Sequence, residues 1–197
     1  MKTELIISLV ILLTGLHASE LHNQTISLSQ KSICSCEKPN VQLEQMYKAD
    51  QEARNIPGVI DDQTWDIIEK GDLQRRQQVT AMIKNNELRA PIDFYHAAMI
   101  FQHGDKQDDF WQAHILAKES VKRGYEQAKW LTAATYDRWL MSQKKPQKYG
   151  TQYTWNGQSY QLYEYDPQTT DQERIDMNVP VLKEQLEWAK KIPQQHA

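Results

Sequence analysis

Apolar residues recur every three or four positions over most of the chain beyond residue 40, and this period is typical of amphipathic helices. Asn40 is well placed to cap the first helix, which should end near Arg54, just before Pro57-Gly58. The residues expected on its inward face are Leu43, Met46, Tyr47 and Ala53. The pattern therefore predicts a helical domain that begins at about residue 40.

Two further helices are predicted before residue 87. Asp61 or Asp62 can cap a short one, and Gly71-Asp72 interrupts the pattern and should start a longer one that ends at Asn85-Asn86. One face of the longer helix is expected to carry Leu73, Arg76, Val79, Thr80 and Ile83.

The central region contains an internal repeat. The hexapeptides at residues 94–99 (FYHAAM) and 130–135 (WLTAAT) align at a shift of 36 residues, which is typical of stacked helix-turn-helix units. Between them a helix capped by Asp108 or Asp109 is expected to end at Gly124, with an inward face of Phe110, Ala113, Ala117 and Val121. The sequence thus predicts an all-α fold of helix hairpins that resemble tetratricopeptide-type repeats.

The period changes from helical to two between residues 151 and 163. Asn156-Gly157 lies between two alternating segments, and this dipeptide favours a two-residue β-hairpin turn that would pair Tyr153 with Tyr160. An isolated hairpin is marginally stable in water, so its aromatic face is expected to pack on the helices. One β-hairpin is therefore predicted as an addition to the all-α fold.

Two short helices are expected after the hairpin. Thr170-Asp171 can open the first, and Pro180 is placed to start the last one. The inward side chains of the last helix are predicted to be Leu182, Leu186 and Ala189.

Residues 1–18 have the features of an export signal: Lys2, an apolar run over residues 5–16, and Ala18 as the expected cleavage residue. The run is shorter than the roughly 20 apolar residues that span a bilayer, although a retained anchor remains the alternative. The predicted organisation is a signal over residues 1–18, a flexible leader over 19–39 and one domain over 40–197. A secreted or periplasmic protein with no stable membrane span after cleavage is expected.

The composition narrows the classes of partner. A net charge of -3 provides no basic surface to neutralise phosphates, so nucleic acid is not an expected partner. Cys34 and Cys36 are too close for a well-formed disulfide, and they are either an unremarkable pair, a strained redox pair or an intermolecular tie. His96 and His103 have no second ligand at helical spacing, so neither a metal nor another cofactor is predicted.

The candidate chemistry lies around the segment 145–152 (KPQKYGTQ), which is richer in amide, phenol and hydroxyl groups than a plain connection. The repeat aligns Gln102 with Arg138, so His103, Asp105 and Asp137 should lie close to both. The candidate catalytic residues are His103, Asp105 and Asp137, and the candidate ligand-binding residues are Gln102, Arg138, Gln147, Tyr149, Thr151 and Gln152.

Several of these residues have a structural alternative. Asp137 follows an apolar helical face and is equally well explained as a buried carboxylate that binds backbone donors. Arg138 can have a structural role, in which its forked guanidinium binds neighbouring groups of the protein. His103 is favoured at a helix C-terminus whatever its role. Asp105 and Asp137 could form a carboxylate pair of the kind that glycosidases use. No nucleophile motif is present, so the sequence leaves catalysis open.

Motifs at residues 102–105 (QHGD), 136–138 (YDR) and 147–152 (QKYGTQ), with a later Asp171-x-x-Arg174, resemble an uncharacterised bacterial family known as a domain of unknown function. The likeness covers residues 43–186. It departs at residues 87–91, where the family usually has a Gly-Trp-Pro-like turn. The resemblance implies no activity, but it adds Arg174 to the candidate ligand-binding residues.

These observations predict an exported protein whose polar pocket recognises a small polar or anionic ligand, with Arg138 as the anion clamp and His103 with Asp105 as an acid-base pair. The alternative is a non-catalytic helical-repeat module that binds a protein or peptide on its concave face. In that case the hairpin residues Trp155 and Tyr160 would be exposed rather than packed.

Overall fold

The computed structural model describes residues 37–56 and 60–192. The predicted signal, most of the leader, both cysteines and Pro57-Gly58 lie outside these ranges. The described residues form seven α-helices and one antiparallel two-stranded hairpin, so the predicted fold class is confirmed. The helices are α1 (Val41–Glu52), α2 (Asp62–Lys84), α3 (Pro91–Phe101), α4 (Gln107–Lys122), α5 (Lys129–Ser142), α6 (Asp171–Asp176) and α7 (Leu182–Ala189), and the strands are β1 (Tyr153–Trp155) and β2 (Tyr160–Leu162).

The first helix begins where the sequence predicts. The Asn40 side chain accepts a hydrogen bond from the Leu43 amide at 3.1 Å, which satisfies one free amide of the first turn. Leu43 is fully buried, and Met46 and Tyr47 pack against the same core. This part of the prediction is confirmed.

The predicted break at Gly71-Asp72 is wrong, because α2 is continuous through both residues and is capped by Asp61. A single glycine in a helix costs only about 1 kcal/mol relative to alanine, and burial of the flanking face outweighs this. That face runs through Ile68, Asp72, Arg76, Val79 and Met82, so Leu73 is 49% exposed rather than inward. No helix in the part of the chain that the structure describes is long and apolar enough to cross a bilayer.

The repeated hexapeptides lie on α3 and α5, and α4 packs against both helices. Ala97 and Ala98 in the first copy and Ala133 and Ala134 in the second are buried, which lets the helices approach closely. The helix between the copies starts at Gln107 rather than at an aspartate cap; Asp109 instead accepts a hydrogen bond from the Lys106 amide. The structure thus confirms the helix order that the repeat predicts.

The hairpin is present, but the predicted two-residue turn is wrong. Tyr153 pairs with Leu162 and Trp155 with Tyr160, so four residues, 156–159, connect the strands. The Asn156 side chain accepts hydrogen bonds from the amides of Gln158 and Ser159, both at 2.9 Å, which organises the longer loop. The local polar contacts of Asn156 therefore set the register.

Gly157 provides a direct test of this loop. Its φ is +96°, and a Cβ atom added there meets no atom within 4 Å. Replacement of Gly157 by Val is therefore expected to destabilise through backbone strain alone, by about 1–3 kcal/mol, measured by urea unfolding. The exposed Ser159→Val serves as the control, and equal unfolding midpoints for the two variants would contradict the assigned loop conformation.

The last two helices differ from their predictions in detail. The Thr170 side chain accepts from the Glu173 amide and caps α6, as predicted. The last helix begins at Leu182 rather than Pro180, and its buried side is made by Gln185 and Ala189, whereas Leu186 is 39% exposed. Burial of Gln185 is explained by the loop that it contacts, as the following subsection describes.

Candidate functional site

Asp137 on α5 holds the loop that carries the sequence motif. Its Oδ1 accepts hydrogen bonds from the amides of Lys148 at 2.7 Å and Tyr149 at 2.9 Å. Its Oδ2 accepts from the amide of Thr151 at 3.0 Å and from the Thr151 hydroxyl at 2.8 Å. Burial raises the pKa of the Asp137 carboxyl above its usual value, and these hydrogen bonds act against the rise. The structural alternative for Asp137, a buried acceptor of backbone donors, is what the contacts show.

The Tyr149 carbonyl and Gly150 fix the other side of the same loop. Arg174 Nε donates to the Tyr149 carbonyl at 3.2 Å, and Gln185 Nε2 donates to it at 3.0 Å. Gly150 has a φ of +87°, and a Cβ atom there would overlap Gln185 Oε1, so only glycine fits. Arg174 is 1% exposed, which places its guanidinium inside the protein.

Gln147 and Gln152 join the loop to the hairpin. Gln147 Nε2 donates to the carbonyls of Gln152 and Tyr163, both at 3.0 Å, and its Oε1 accepts from the Gln152 amide at 2.9 Å. The Gln152 side chain donates to the Thr151 hydroxyl at 3.0 Å. The backbone of Gln147 also bonds Glu164 and Asp166. Each of these amides therefore already has a partner within the protein.

We refer to Asp137 and the polar groups of residues 147–152, with Arg174 and Gln185, as the loop network. Most of the motif that the sequence singles out belongs to it. Tyr149 contributes its backbone, while its ring lies edge-on to Tyr136 at 6.4 Å and beneath the ammonium of Lys148 at 5.5 Å. The network anchors the hairpin to α5 and α7, and its hydrogen bonds leave few groups free for a ligand.

A second group of polar side chains surrounds His103, the second residue after α3. His103 Nδ1 lies 3.0 Å from Asp50 Oδ2 and 3.2 Å from Asp50 Oδ1, so the imidazole is paired with α1. Asp50 is fully buried, and the His103 side chain is 4% exposed. The predicted pairing of His103 with Asp105 is wrong: the Asp105 side chain is 79% exposed and approaches only Arg76, at 3.8 Å.

Arginines of α1 and α2 complete the environment of Asp50. Arg54 pairs with Asp50 at 3.1 Å and with Asp72. Arg75 pairs with Asp72, and its Nε lies 3.5 Å from Asp50. Arg76 donates to the His103 carbonyl at 3.1 Å. We call Asp50, Arg54, Asp72, Arg75, His103 and Arg138 the charged cluster; it links α1 and α2 to the end of α3 and to α5.

Arg138 is the member of the charged cluster that lacks an acidic partner. Its Nη1 donates to the Gln102 carbonyl at 2.6 Å, which confirms that the repeat brings residues 102 and 138 together. Its Nε is buried with no hydrogen-bond partner, and no carboxylate of the described residues pairs with it. Burial and the positive charge of Arg54 lower the pKa of Arg138 to about 10. The buried Gln102 side chain donates to Met99 Sδ at 3.1 Å.

Burial and neighbouring charges shift the pKa values of His103 and Asp50. Burial lowers the pKa of His103, the Asp50 hydrogen bond and charge oppose this, and the positive charges of Arg54 and Arg138 add to it. Burial alone would raise the pKa of Asp50, but His103 and the charges of Arg54 and Arg75 together lower it. At neutral pH the pair is therefore a neutral imidazole and an ionised carboxylate.

The sequence prediction includes only His103 and Arg138 of the charged cluster, and it misses Asp50, Arg54, Asp72 and Arg75. A signal was available for Asp50, which lies seven residues after Leu43 on the inward face of α1. Asp72 and Val79 similarly share the buried face of α2. A charged residue on an apolar face needs a partner, and this alone could have drawn attention to both aspartates.

No group of three or more His, Cys, Asp and Glu side chains within residues 37–56 and 60–192 is arranged to hold a metal ion. His96 stacks on Tyr47 at 4.4 Å, and His114 bonds the Thr132 carbonyl at 3.0 Å. No protein-family model, no curated protein and no solved structure matches this chain.

Proposed function

We propose that the protein binds a small anionic ligand and that Arg138 holds the anion. The observation that carries this proposal is the buried Nε of Arg138, which belongs to a charged group and has no hydrogen-bond partner among the residues that the structure describes. A buried charge without a partner is costly, and such groups concentrate at functional sites. An anionic ligand would supply the missing partner.

The other arginines near the site differ from Arg138 in having carboxylates. Arg54 and Arg75 share Asp50 and Asp72, and Arg76 lies 3.7 Å from Asp109. Arg138 is close enough to Arg54 for that positive charge to lower its pKa. Two neighbouring guanidinium groups repel each other, and the attraction of both to a bound anion would offset this repulsion. A guanidinium also binds carboxylate or phosphate groups through paired hydrogen bonds.

The hairpin supports this proposal over the protein-binding alternative. Tyr160 is 6% exposed, and Trp155 is half-buried with its ring edge-on to Tyr160 at 5.2 Å. These two aromatic residues are therefore packed, whereas the alternative expects them to be exposed. The catalytic roles predicted for Asp105 and Asp137 have less support, because Asp105 lies at the surface and Asp137 already accepts four hydrogen bonds.

The test compares Arg138→Gln with wild type in thermal unfolding with acetate, malonate, sulfate and inorganic phosphate. Sodium chloride at equal ionic strength corrects for screening. An anion at ten times its Kd should stabilise the wild type by about 1.4 kcal/mol, or roughly 3–6 °C in Tm. Arg138→Gln should abolish this gain and leave the unliganded protein nearly unchanged or slightly more stable, because it removes a buried positive charge that has no acidic partner among the described residues.

The matched control is Arg123→Gln, which removes a partly exposed arginine paired with Glu119. It should respond to anions as the wild type does. If Arg138→Gln instead loses several kcal/mol without ligand, Arg138 is a structural residue. If every anion stabilises Arg138→Gln and wild type equally, the site does not lie at Arg138.

A further inference from the structure

The contact between Asp50 and His103 determines which imidazole nitrogen carries the proton. Asp50 is ionised at neutral pH and can only accept hydrogen bonds, so the nitrogen that faces it, Nδ1, must be the protonated one. The imidazole is neutral because burial lowers its pKa. Nε2 therefore carries a lone pair and acts as an acceptor.

This acceptor has no partner among residues 37–56 and 60–192. His103 Nε2 is buried and makes no hydrogen bond, whereas the other ring nitrogen, Nδ1, is bound to Asp50. A buried acceptor without a donor is less stable than the same acceptor bonded to water. A group that brings an O–H or N–H donor to this position would restore that stability.

Arg138, whose Nε has no hydrogen-bond partner among the described residues, lies close to this acceptor. Arg138 binds the carbonyl of Gln102, the residue directly before His103, and its charge is close enough to lower the pKa of His103. The positive charge of Arg54 also lowers the pKa values of both His103 and Arg138. A ligand that satisfies both must carry an anionic group for Arg138 and, a short distance away, a proton donor for His103.

The net charge of the charged cluster limits the charge that the anionic group of the ligand can carry. Arg54, Arg75 and Arg138 contribute three positive charges, and Asp50 and Asp72 contribute two negative ones. One positive charge is left, which a single carboxylate neutralises. A phosphate dianion would leave a negative excess beside Asp50.

We propose that the ligand is a small hydroxycarboxylate whose carboxylate pairs with Arg138 and whose hydroxyl donates a hydrogen bond to His103 Nε2. This inference rests on the proposed function, because it assigns the chemical class of the anion that Arg138 binds. It makes His103 a specificity-determining residue: an acid that lacks the hydroxyl would leave Nε2 unsatisfied.

The test is a calorimetric titration of the purified protein with matched pairs of acids: lactate with propionate, glycolate with acetate, and 3-hydroxybutyrate with butyrate. At least one hydroxy acid should bind about tenfold or more tightly than its partner, as expected for one hydrogen bond to a buried acceptor. Equal binding within all three pairs, or no binding of any hydroxy acid, would overturn the inference.

One variant of His103 locates the effect. His103→Asn places an amide near the position of Nδ1, where it can still donate to Asp50, but it has no group at the position of Nε2. It should bind the hydroxy acid no more tightly than the matched acid. Retained preference for the hydroxy acid in a folded His103→Asn protein would contradict the inference.

A measurement on the wild type covers the case in which the variant does not fold. The ¹⁵N resonance of unprotonated Nε2 should shift when the hydroxy acid is added and stay in place with the matched acid; no shift would contradict the inference.

The two proposals fail in different ways. Anion binding that depends on Arg138 without preference for a hydroxyl leaves the proposed function intact, whereas binding that Arg138→Gln does not weaken removes both.

Discussion

Replacement of Asp137 by Asn is expected to lower the free energy of unfolding by about 3–5 kcal/mol, a large share of the stability of a single domain. The carboxylate is fully buried and accepts four hydrogen bonds, two on each oxygen. An Asn side chain presents an NH₂ group to one pair of these donors, so at least two donors would lose their acceptor inside the protein. Urea unfolding followed by tryptophan fluorescence measures the change.

Hydrogen exchange gives this prediction a local readout. In Asp137→Asn the amides of Lys148, Tyr149 and Thr151 should exchange faster, because these are the donors that Asp137 accepts. Thr151→Val removes the hydroxyl that donates to Asp137 and accepts from Gln152, and it should cost less, about 2 kcal/mol for the two hydrogen bonds. The exposed Asp66→Asn is the matched control. A variant at 137 that unfolds like the control would show that the loop is held without this carboxylate.

Replacement of Asp50 by Ala is expected to have an effect of similar size, about 3–5 kcal/mol, through a different mechanism. Asp50 is fully buried and is shared by His103, Arg54 and Arg75. Its removal leaves Arg54 and Arg75 with Asp72 as their remaining carboxylate, so positive charge would be left without compensation beside Arg138. Chemical unfolding measures the cost, with Asp66→Ala as control.

The Asp50 variant also has a readout that a purely local packing defect would not change. Without the carboxylate, Nδ1 of His103 loses its acceptor, so the protonated nitrogen is no longer fixed and the ¹⁵N spectrum should show both tautomers. Under the proposed function an added anion should recover part of the lost stability, because it supplies a negative charge to the cluster. A stable Asp50→Ala protein with an unchanged tautomer would contradict the assigned pairing.

The loop network and the charged cluster show different limits of predicting a site from sequence. The motif over residues 147–152 was predicted to bind a ligand because it is rich in polar groups, yet the structure directs most of them toward Asp137, Gln185 and each other. A buried loop must satisfy its own backbone donors, and this demand also selects amides, hydroxyls and glycine. Composition alone therefore does not distinguish a loop that binds a ligand from a loop whose polar groups bind its own backbone.

The sequence by itself determined the local features of this protein. The caps at Asn40, Asp61 and Thr170, the order of the helices and the shift of 36 residues between α3 and α5 follow from residue types and spacing, because hydrogen bonds to nearby amides and amphipathic periods are local properties. The hairpin itself is also predicted correctly, although its predicted register, Tyr153 with Tyr160, is wrong, since the extra turn residues depend on the contacts of the Asn156 side chain.

Only the tertiary structure decided the partners of the charged and polar side chains. His103 pairs with Asp50, which is 53 residues away, rather than with Asp105, which is two residues away. A short sequence separation does not bring two side chains together when they leave the end of a helix in different directions. The packing of α1 and α2 against α3 instead determines which carboxylate is buried beside the imidazole. In that arrangement His103 Nε2 and Arg138 Nε have no hydrogen-bond partner in the part of the chain that the structure describes.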